Sequence, residues 1–229
     1  MTPDSPRIFD LNKDLPPPAD ENEERMIRAL DDLAIKVSKL LGEGSTLPEK
    51  DVHGLLELIP EVAGSARATA VLGFILIQLK EIPGVRDLYR RARQNHGPLA
   101  PFLYFEALCE ERLGNHENAL ELLRAIIAQG VRNYWVFLHA AEVLYRLCRF
   151  SESAATANLA VYENHEDSLE PFVLLAKNLH ALGEVNRMLE CFRRAELMAG
   201  EKGLLAFGPL YQAHREMYQN IKQHLLKVT

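Results

Sequence analysis

Two His-Glu pairs are the residues of this sequence whose types most directly suggest chemistry, His116-Glu117 and His165-Glu166. In a zinc hydrolase such a pair belongs to the pattern H-E-x-x-H, in which both histidines face one metal ion and the glutamate acts as a base. The second histidine is missing after both pairs. The sequence therefore contains no zinc-hydrolase motif.

The glycines, acids and cysteines complete no other catalytic or cofactor motif. Gly42-Glu43-Gly44 lacks both a third spaced glycine and the Gly-Lys-Ser/Thr ending of a phosphate-binding loop. Glu110 and Glu111 are neighbours, so they point to different sides of a helix and cannot act as an acid/base couple. No C-x-x-C pair joins the three cysteines, which are Cys109, Cys148 and Cys191. We predict no catalytic residue, no metal site and no cofactor, although an enzyme or enzyme regulator with an unrecognised site stays open.

Charge and hydropathy argue against nucleic acid and membrane as partners. Residues 1–24 hold seven acids and two bases, so they carry −5 of the net charge of −6 and leave the remainder at −1. A nucleic-acid binder is expected to show a basic face. The longest apolar run, 68–79, is too short to span a bilayer, and no signal peptide opens the chain. We therefore expect a cytoplasmic protein without nucleic-acid binding or membrane insertion.

The sequence repeats with a period of 34 residues, and this period predicts the helices that position the candidate side chains. Ala107, Gly114 and Ala119 recur as Ala141, Cys148 and Ser153. The same offset, lengthened by one residue near Ser168, extends in both directions and produces a column of small residues, Gly73, Ala107, Ala141 and Ala176. Small side chains at fixed repeat positions let the two helices of a hairpin approach closely.

These columns resemble the tetratricopeptide repeat (TPR) pattern, W-x2-L-G-x2-Y followed by A-x3-F. The resemblance covers about residues 66–202, in units that start near Ala66, Ala100, Tyr134 and Leu169. It implies an all-α fold, a TPR-type α-solenoid of about four helical hairpins with an N-terminal helical extension and a C-terminal capping helix. The chain departs from the pattern where polar or larger residues replace the usual types, at Val85, Glu106, Glu110 and Met188.

The expected domain organisation follows from this period and from composition. Residues 1–20 are rich in proline and acids, and we expect a disordered leader that buries no apolar surface. Residues 21–64 form N-terminal helices, and 65–229 form the TPR domain with repeats near 66–99, 100–133, 134–167 and 169–202. A capping helix at 204–227 covers the last hairpin with one apolar face, made of Leu210, Met217, Ile221 and Leu225.

The first N-terminal helix carries a stripe of apolar residues spaced by 4, 3, 4 and 3, which are Met26, Leu30, Leu33, Val37 and Leu40. This is the a/d spacing of helix-to-helix packing. The stripe is too short for a stand-alone coiled coil. It packs either on the first repeat or on a second copy of itself, so a homodimer is possible.

In the TPR resemblance, the first helix of each hairpin lines a concave groove. Counting from the small-residue column, we predict an apolar, aromatic peptide-binding groove made of Phe74, Ile77, Tyr104, Phe105, Leu108, Trp135, Leu138, His139 and Tyr145. An error of one residue would instead place part of this set in the core. These residue types exclude the Lys/Asn/Arg carboxylate clamp of TPR domains that hold acidic C-termini. They suit a peptide with apolar anchors.

A narrower resemblance lies in the run His139-Ala140-Ala141-Glu142 with the turn and small-residue helix that follow. It is similar to the corresponding repeat in the class II chaperones of bacterial type III secretion systems, which hold translocator subunits. The resemblance implies an N-terminal dimerisation helix and a client-binding groove, to which Tyr104, Phe105, Trp135 and His139 belong. The fourth hairpin and the longer leader depart from that family.

The sequence thus predicts a non-enzymatic TPR adaptor or chaperone that holds an apolar segment of a protein or peptide client in its groove. A type III secretion chaperone is the narrower form of this hypothesis. The alternative is a TPR scaffold that mainly assembles with itself.

Overall fold

The computed structural model describes residues 11–164 and 168–226, and all regular secondary structure in these ranges is helical. The chain divides into two compact units, residues 1–131 and 132–229. Unit 1 contains eight helices within its described residues: α1 (Leu11–Asp14), α2 (Glu21–Gly42), α3 (Glu49–Glu57), α4 (Ile59–Val62), α5 (Ala66–Gln78), α6 (Ile82–His96), α7 (Ala100–Arg112) and α8 (His116–Ala128).

Unit 2 contains six helices within its described residues: α9 (Tyr134–Arg146), α10 (Phe150–Tyr162), α11 (Glu170–Ala181), α12 (Val185–Ala199), α13 (Glu201–Leu205) and α14 (Pro209–Leu226). The helical hairpins are α5/α6 and α7/α8 in unit 1, and α9/α10 and α11/α12 in unit 2. Their first helices begin within one residue of the four predicted repeat starts. Side-chain caps fix two of these starts, because Ser65 accepts from the Ala68 amide and Asn133 accepts from the Trp135 amide.

The turn inside each hairpin uses one repeat position in the left-handed conformation. Lys80, Gly114, Cys148 and Gly183 have φ between 57° and 82°. The amide of the residue that follows each of them donates to a carbonyl five residues back, as from Asn115 to Glu110 at 2.8 Å. This is the helix ending in which a left-handed residue satisfies the last carbonyls, and glycine suits it best. Two of the four hairpins carry a side chain there.

The small-residue column has its only glycine where the facing residue is largest. A Cβ built on Gly73 would lie 2.7 Å from Cε2 of Tyr89 and closer still to the hydroxyl, and Tyr89 is fully buried. In the second hairpin the equivalent residues are Ala107 and Leu123, both also fully buried. In the fourth hairpin they are Ala176 and Phe192, so an aromatic ring alone does not require a glycine. In the first hairpin the Tyr89 hydroxyl, which phenylalanine lacks, lies nearest to the place of the missing methyl group.

The expected disordered leader, residues 1–20, differs from the structure of unit 1 in its last ten residues. Residues 1–10 lie outside the described residues, but Leu11–Asp14 is helical and the Leu15 side chain is 3% exposed. Nε of Arg67 donates to the Pro16 carbonyl at 2.9 Å. Proline and acid content predicted a segment without buried apolar surface, yet one leucine is enough to anchor it to the core of unit 1.

The apolar stripe of α2 packs on the first repeat, which was one of its two expected positions. Leu30 and Val37 are buried in one cluster with the core of α5, and Met26 and Leu33 pack against that cluster. Of the five predicted dimerisation residues, Leu40 alone stays exposed, at 40%. Leu30 and Val37 are thus buried within the chain, Met26 and Leu33 are half-buried against the same core, and dimerisation through this stripe stays a prediction.

The C-terminal helix covers unit 2 with a different face from the predicted one. Tyr211 and Tyr218 of α14 are buried, and both rings meet Phe192 of α12 edge to face. The Tyr218 hydroxyl donates to Glu196 at 2.8 Å. Of the expected face, Met217 and Ile221 are exposed, Leu210 is half-buried, and the Leu225 side chain lies outside the described residues. Aromatic rings bury more area than a methionine or isoleucine and so orient the helix.

The turn position yields a stability prediction. Cys148→Gly should stabilise the protein by about 0.5 to 1 kcal/mol, because a side chain strains the left-handed conformation and Cys148 is exposed, so little packing is lost. Gly114→Ala should destabilise it by a similar amount. Urea unfolding of the full chain under reducing conditions measures both, and a destabilised Cys148→Gly would contradict the strain argument.

The Gly73–Tyr89 contact yields a second stability prediction. Gly73→Ala should destabilise by about 1 to 3 kcal/mol through overpacking. Combined with Tyr89→Leu, which recreates the Ala/Leu pair of the second hairpin, the loss should be at least about 1 kcal/mol smaller than the sum of the two single losses. The control is Gly54→Ala in α3, where nothing lies within 4 Å, and it should be neutral or stabilising. Additive single effects would show that the clash is absent.

Candidate binding site

Unit 1 contains a strip of large apolar side chains that are only partly buried. Phe74 and Ile77 lie on α5, and Phe105 and Leu108 lie on α7. We call these four residues the apolar strip. Phe74 and Leu108 occupy the same repeat position, 34 residues apart, on the first helices of successive hairpins. All four belong to the predicted groove.

The core of unit 1 holds the apolar strip in place from behind. The Phe105 ring stacks nearly parallel to Tyr89, with ring centroids 5.2 Å apart, and meets Tyr104 edge to face at 5.9 Å. Phe74 and Ile77 pack against the same buried cluster. One side of each of these three side chains is therefore fixed, while the other remains open to solvent.

Three predicted groove residues are core residues. Tyr104 is 4% exposed, Leu138 4% and His139 5%. Their helices, α7 and α9, have buried residues on nearly every side. Counting positions from the small-residue column predicts which side of the helix a residue lies on. It does not predict whether neighbouring helices cover that side.

In unit 2, two predicted groove residues are partly exposed, Trp135 and Tyr145. Trp135 meets Tyr134 edge to face, with ring centroids 4.8 Å apart, and Tyr145 meets Phe150 in the same way at 5.4 Å. The indole N–H of Trp135 is buried without a hydrogen-bond partner. The accessible part of the predicted groove is thus the apolar strip in unit 1 and these two aromatic residues in unit 2.

Two buried glutamates on α7 form a site that the sequence reasoning did not identify. Glu106 is 5% exposed and Glu110 8%. Oε1 of Glu106 accepts from Arg93 of α6 at 3.2 Å, and Oε1 of Glu110 lies 3.8 Å from Nη1 of Arg86. The side-chain amide of Asn115 donates to the other oxygen of Glu110 at 2.7 Å. Oε2 of Glu106 is buried and has no hydrogen-bond partner.

Beside these glutamates lies a cavity of about 380 Å³ between α6, α7 and α8. We call it the acidic cavity. Its charged lining consists of three carboxylates and one guanidinium, those of Glu106, Glu110, Glu121 and Arg93. The rest of its lining is Pro98, Leu103, Asn118, Leu122 and Ala125.

Unit 2 has an equivalent cavity with an apolar floor. It measures about 160 Å³ and lies between α10, α11 and α12. Leu175 and Leu179 of α11 line it, at the repeat positions that Glu106 and Glu110 occupy in α7. The same hairpin architecture therefore accepts leucines at these positions, and the glutamates of unit 1 are not a requirement of the fold.

Burial raises the pKa of one glutamate and two cysteines on the helices that line these two cavities. It raises the pKa of Glu106, and the neighbouring Glu110 carboxylate adds to this rise while the Arg93 guanidinium opposes it. Burial also raises the pKa of the Cys109 thiol to about 12 and that of Cys191 to about 11. Both thiols stay protonated at neutral pH and are poor nucleophiles.

Within residues 11–164 and 168–226, no group of three or more His, Cys, Asp or Glu side chains is placed to hold a metal ion. His165-Glu166 lies outside the described residues. In the same described ranges, no helix combines the length and apolar character that a membrane crossing requires.

Comparison with known proteins identifies the fold. No family model and no curated protein matches the chain. Among solved structures, YrrB, described as a TPR protein with an unusual peptide-binding site, matches with a TM-score of 0.58 and 18% identity over 71% of this chain and 84% of its own. MamA AMB-1 matches at 0.58 and 15% identity over 76% and 95%, and MamA from Desulfovibrio magneticus RS-1 at 0.57 and 11% over 76% and 93%. The predicted all-α, TPR-type solenoid class is confirmed.

The buried carboxylate yields a pH-dependent prediction. Because the pKa of Glu106 is higher in the folded than in the unfolded state, the folded state binds this proton more tightly. Its contribution to stability is therefore lost as pH rises from the unfolded value of 4.5 through the folded value, and the loss is complete above it. Glu106→Gln, which mimics the protonated form, should raise the urea midpoint at pH 7 and leave it nearly unchanged at pH 4.

The matched control is Glu121→Gln, since Glu121 lines the same cavity but is exposed. Its effect should stay within about 0.5 kcal/mol at both pH values. A lower midpoint for Glu106→Gln at pH 7 would show that the ion pair with Arg93 outweighs desolvation.

Proposed function

We propose that this protein is a non-enzymatic adaptor or chaperone that holds an apolar segment of a partner protein against the apolar strip of unit 1. The observation that carries the proposal is the partial exposure of four large apolar side chains on the first helices of two successive hairpins. Phe74 and Leu108 occupy equivalent repeat positions, and the other two side chains and Phe74 pack against the core of unit 1. Each Å² of apolar surface that a client covers contributes about 25 cal/mol. Because the core already fixes three of these side chains from behind, little of their side-chain entropy is lost on binding.

The structural neighbours support the same kind of role without specifying it. YrrB is described as having a peptide-binding site, and its likeness to this chain extends over most of both proteins. First helices of successive hairpins present equivalent residues in a row, which suits a client that is extended or helical along the row. The client we propose therefore has apolar anchors at regular spacing.

The type III secretion chaperone remains the finer form of this proposal. It rests on the His139–Glu142 motif, in which His139 is buried and therefore contributes to packing rather than to an open surface. The helix that would correspond to the dimerisation helix of that family is α2, and its apolar stripe packs against the core of unit 1. This finer form predicts that a hydrophobic translocator subunit becomes soluble when it is coexpressed with this protein. The test counts only if substitutions in the apolar strip abolish the effect.

A self-assembling scaffold was the alternative. Four of the five residues that favoured it are used within unit 1. We therefore expect a monomer in light scattering at micromolar concentration, and a dimer that survives Leu40→Glu would show a different self-association surface.

The client-binding proposal predicts a loss of peptide affinity on truncating the strip. Peptides selected by phage display on the full chain should be rich in apolar anchors. Their affinity, measured by fluorescence anisotropy, should fall at least tenfold in a Phe74→Ala/Leu108→Ala variant, because two partly exposed side chains lose most of their contact area.

The matched control is Leu159→Ala, since Leu159 is an apolar residue exposed on the second helix of a hairpin, at 41%. It should leave the affinity unchanged. Circular dichroism of each variant separates a lost contact from a lost fold. Peptides that bind the strip variant and the wild type equally well would remove the strip from the mechanism.

A further inference from the structure

The acidic cavity of unit 1 lies on a different face of α7 from the apolar strip. Leu108 is two residues from both Glu106 and Glu110, and two residues along a helix correspond to a rotation of about 200°. The strip is formed by α5 and α7, whereas α6, α7 and α8 line the cavity. A ligand in the cavity is therefore separate from a client on the strip.

The charges of the cavity determine which class of ligand it fits. Three carboxylates and one guanidinium line it, and Arg86 pairs with Glu110 from beside it, so these groups together leave an excess of one negative charge, which disfavours anions. No three acidic or other ligating side chains in the described ranges are grouped for a metal ion. Leu103, Leu122 and Pro98 supply apolar wall. An organic cation with a partly apolar body matches both features.

The unpartnered oxygen of Glu106 indicates what is missing from the site. A buried carboxylate oxygen without a donor costs free energy, and Glu106 is 5% exposed. Arg93 already pairs with the other oxygen of Glu106, and Arg86 and Asn115 pair with the two oxygens of Glu110. Unit 2 shows that leucines fill the equivalent positions, so packing does not explain why unit 1 keeps two acids there.

We propose that the acidic cavity binds the guanidinium group of an arginine residue from a partner protein. The planar guanidinium presents several N–H donors at once and is weakly hydrated, so it enters a half-apolar cavity more easily than an ammonium group. The positive charge balances the excess of carboxylates, and Glu106, whose Oε2 has no hydrogen-bond partner, lines the cavity. A volume of about 380 Å³ admits a side chain of this size, and small-ligand sites begin at about 300 Å³.

The test is an NMR titration of the full chain with N-acetyl-arginine amide, which resembles an arginine within a peptide. Saturable shifts are expected at the methyl groups of Leu103, Leu122 and Ala125. N-acetyl-citrulline amide, which has the same shape without the charge, should give none. Shifts of equal size with citrulline, or no saturable shift with the arginine compound, overturn the proposal.

Substitutions assign the binding to the cavity. Glu106→Gln should weaken it at least fivefold, and Glu121→Gln, an exposed change that leaves folding intact, should weaken it two- to threefold. Glu43→Gln, at an exposed position outside the cavity, should have no effect. Unchanged affinity in both cavity variants overturns the proposal, and so does a marked preference for free arginine over the blocked compound.

The apolar-strip variant separates this inference from the proposed function. Phe74→Ala/Leu108→Ala should retain full affinity for N-acetyl-arginine amide while it loses affinity for selected peptides. A cavity that fails to bind arginine leaves the strip result untouched. If the strip variant loses both activities, the two sites are not separate and the inference is wrong.

Discussion

The close approach of the two helices in the first hairpin is the contact on which the binding surface of unit 1 depends. Gly73 leaves room for the Tyr89 ring, and that ring supports Phe105 by stacking at 5.2 Å. A methyl group at position 73 would push the ring away and release the aromatic residue that the strip presents. The smallest residue in the repeat column thus determines the position of one of the large half-buried side chains of the strip. Packing density, rather than any polar contact, orients the candidate site.

Helix α7 contributes to two different surfaces, because its sides face the core, the apolar strip and the acidic cavity. Its apolar residues join the core and the strip, while Glu106 and Glu110 reach the cavity between α6 and α8. Burying two acids four residues apart on one helix is costly unless each is paired. Arg93 and Arg86 provide that pairing incompletely, and the leucines at the equivalent positions of unit 2 show the less costly solution. A retained cost of this kind indicates a function for the site.

Periodicity in the sequence predicted the hairpins well because every repeat supplies an independent measurement of the same spacing. Four helix starts, the turn positions and the small-residue column all follow from an offset of 34 or 35 residues. Burial was harder to predict, since it depends on what covers a helix from outside its own sequence. Tyr104 and His139 were assigned to a groove and are core residues, and α14 is oriented by Tyr211 and Tyr218 rather than by its aliphatic face.

Departures from the repeat pattern were visible in the sequence, but their meaning required the neighbouring helix. Glu106 and Glu110 stand where apolar residues are usual, while Arg93, within the basic run of α6, resembles a residue of a solvated helix face. Pairing across α6 and α7 connects the two irregularities into one arrangement. Neither is explained alone, because an acid in a core column and a basic run on a helix each have ordinary causes. A polar residue in a repeat column is therefore best interpreted together with the charges one helix earlier, where its partner lies.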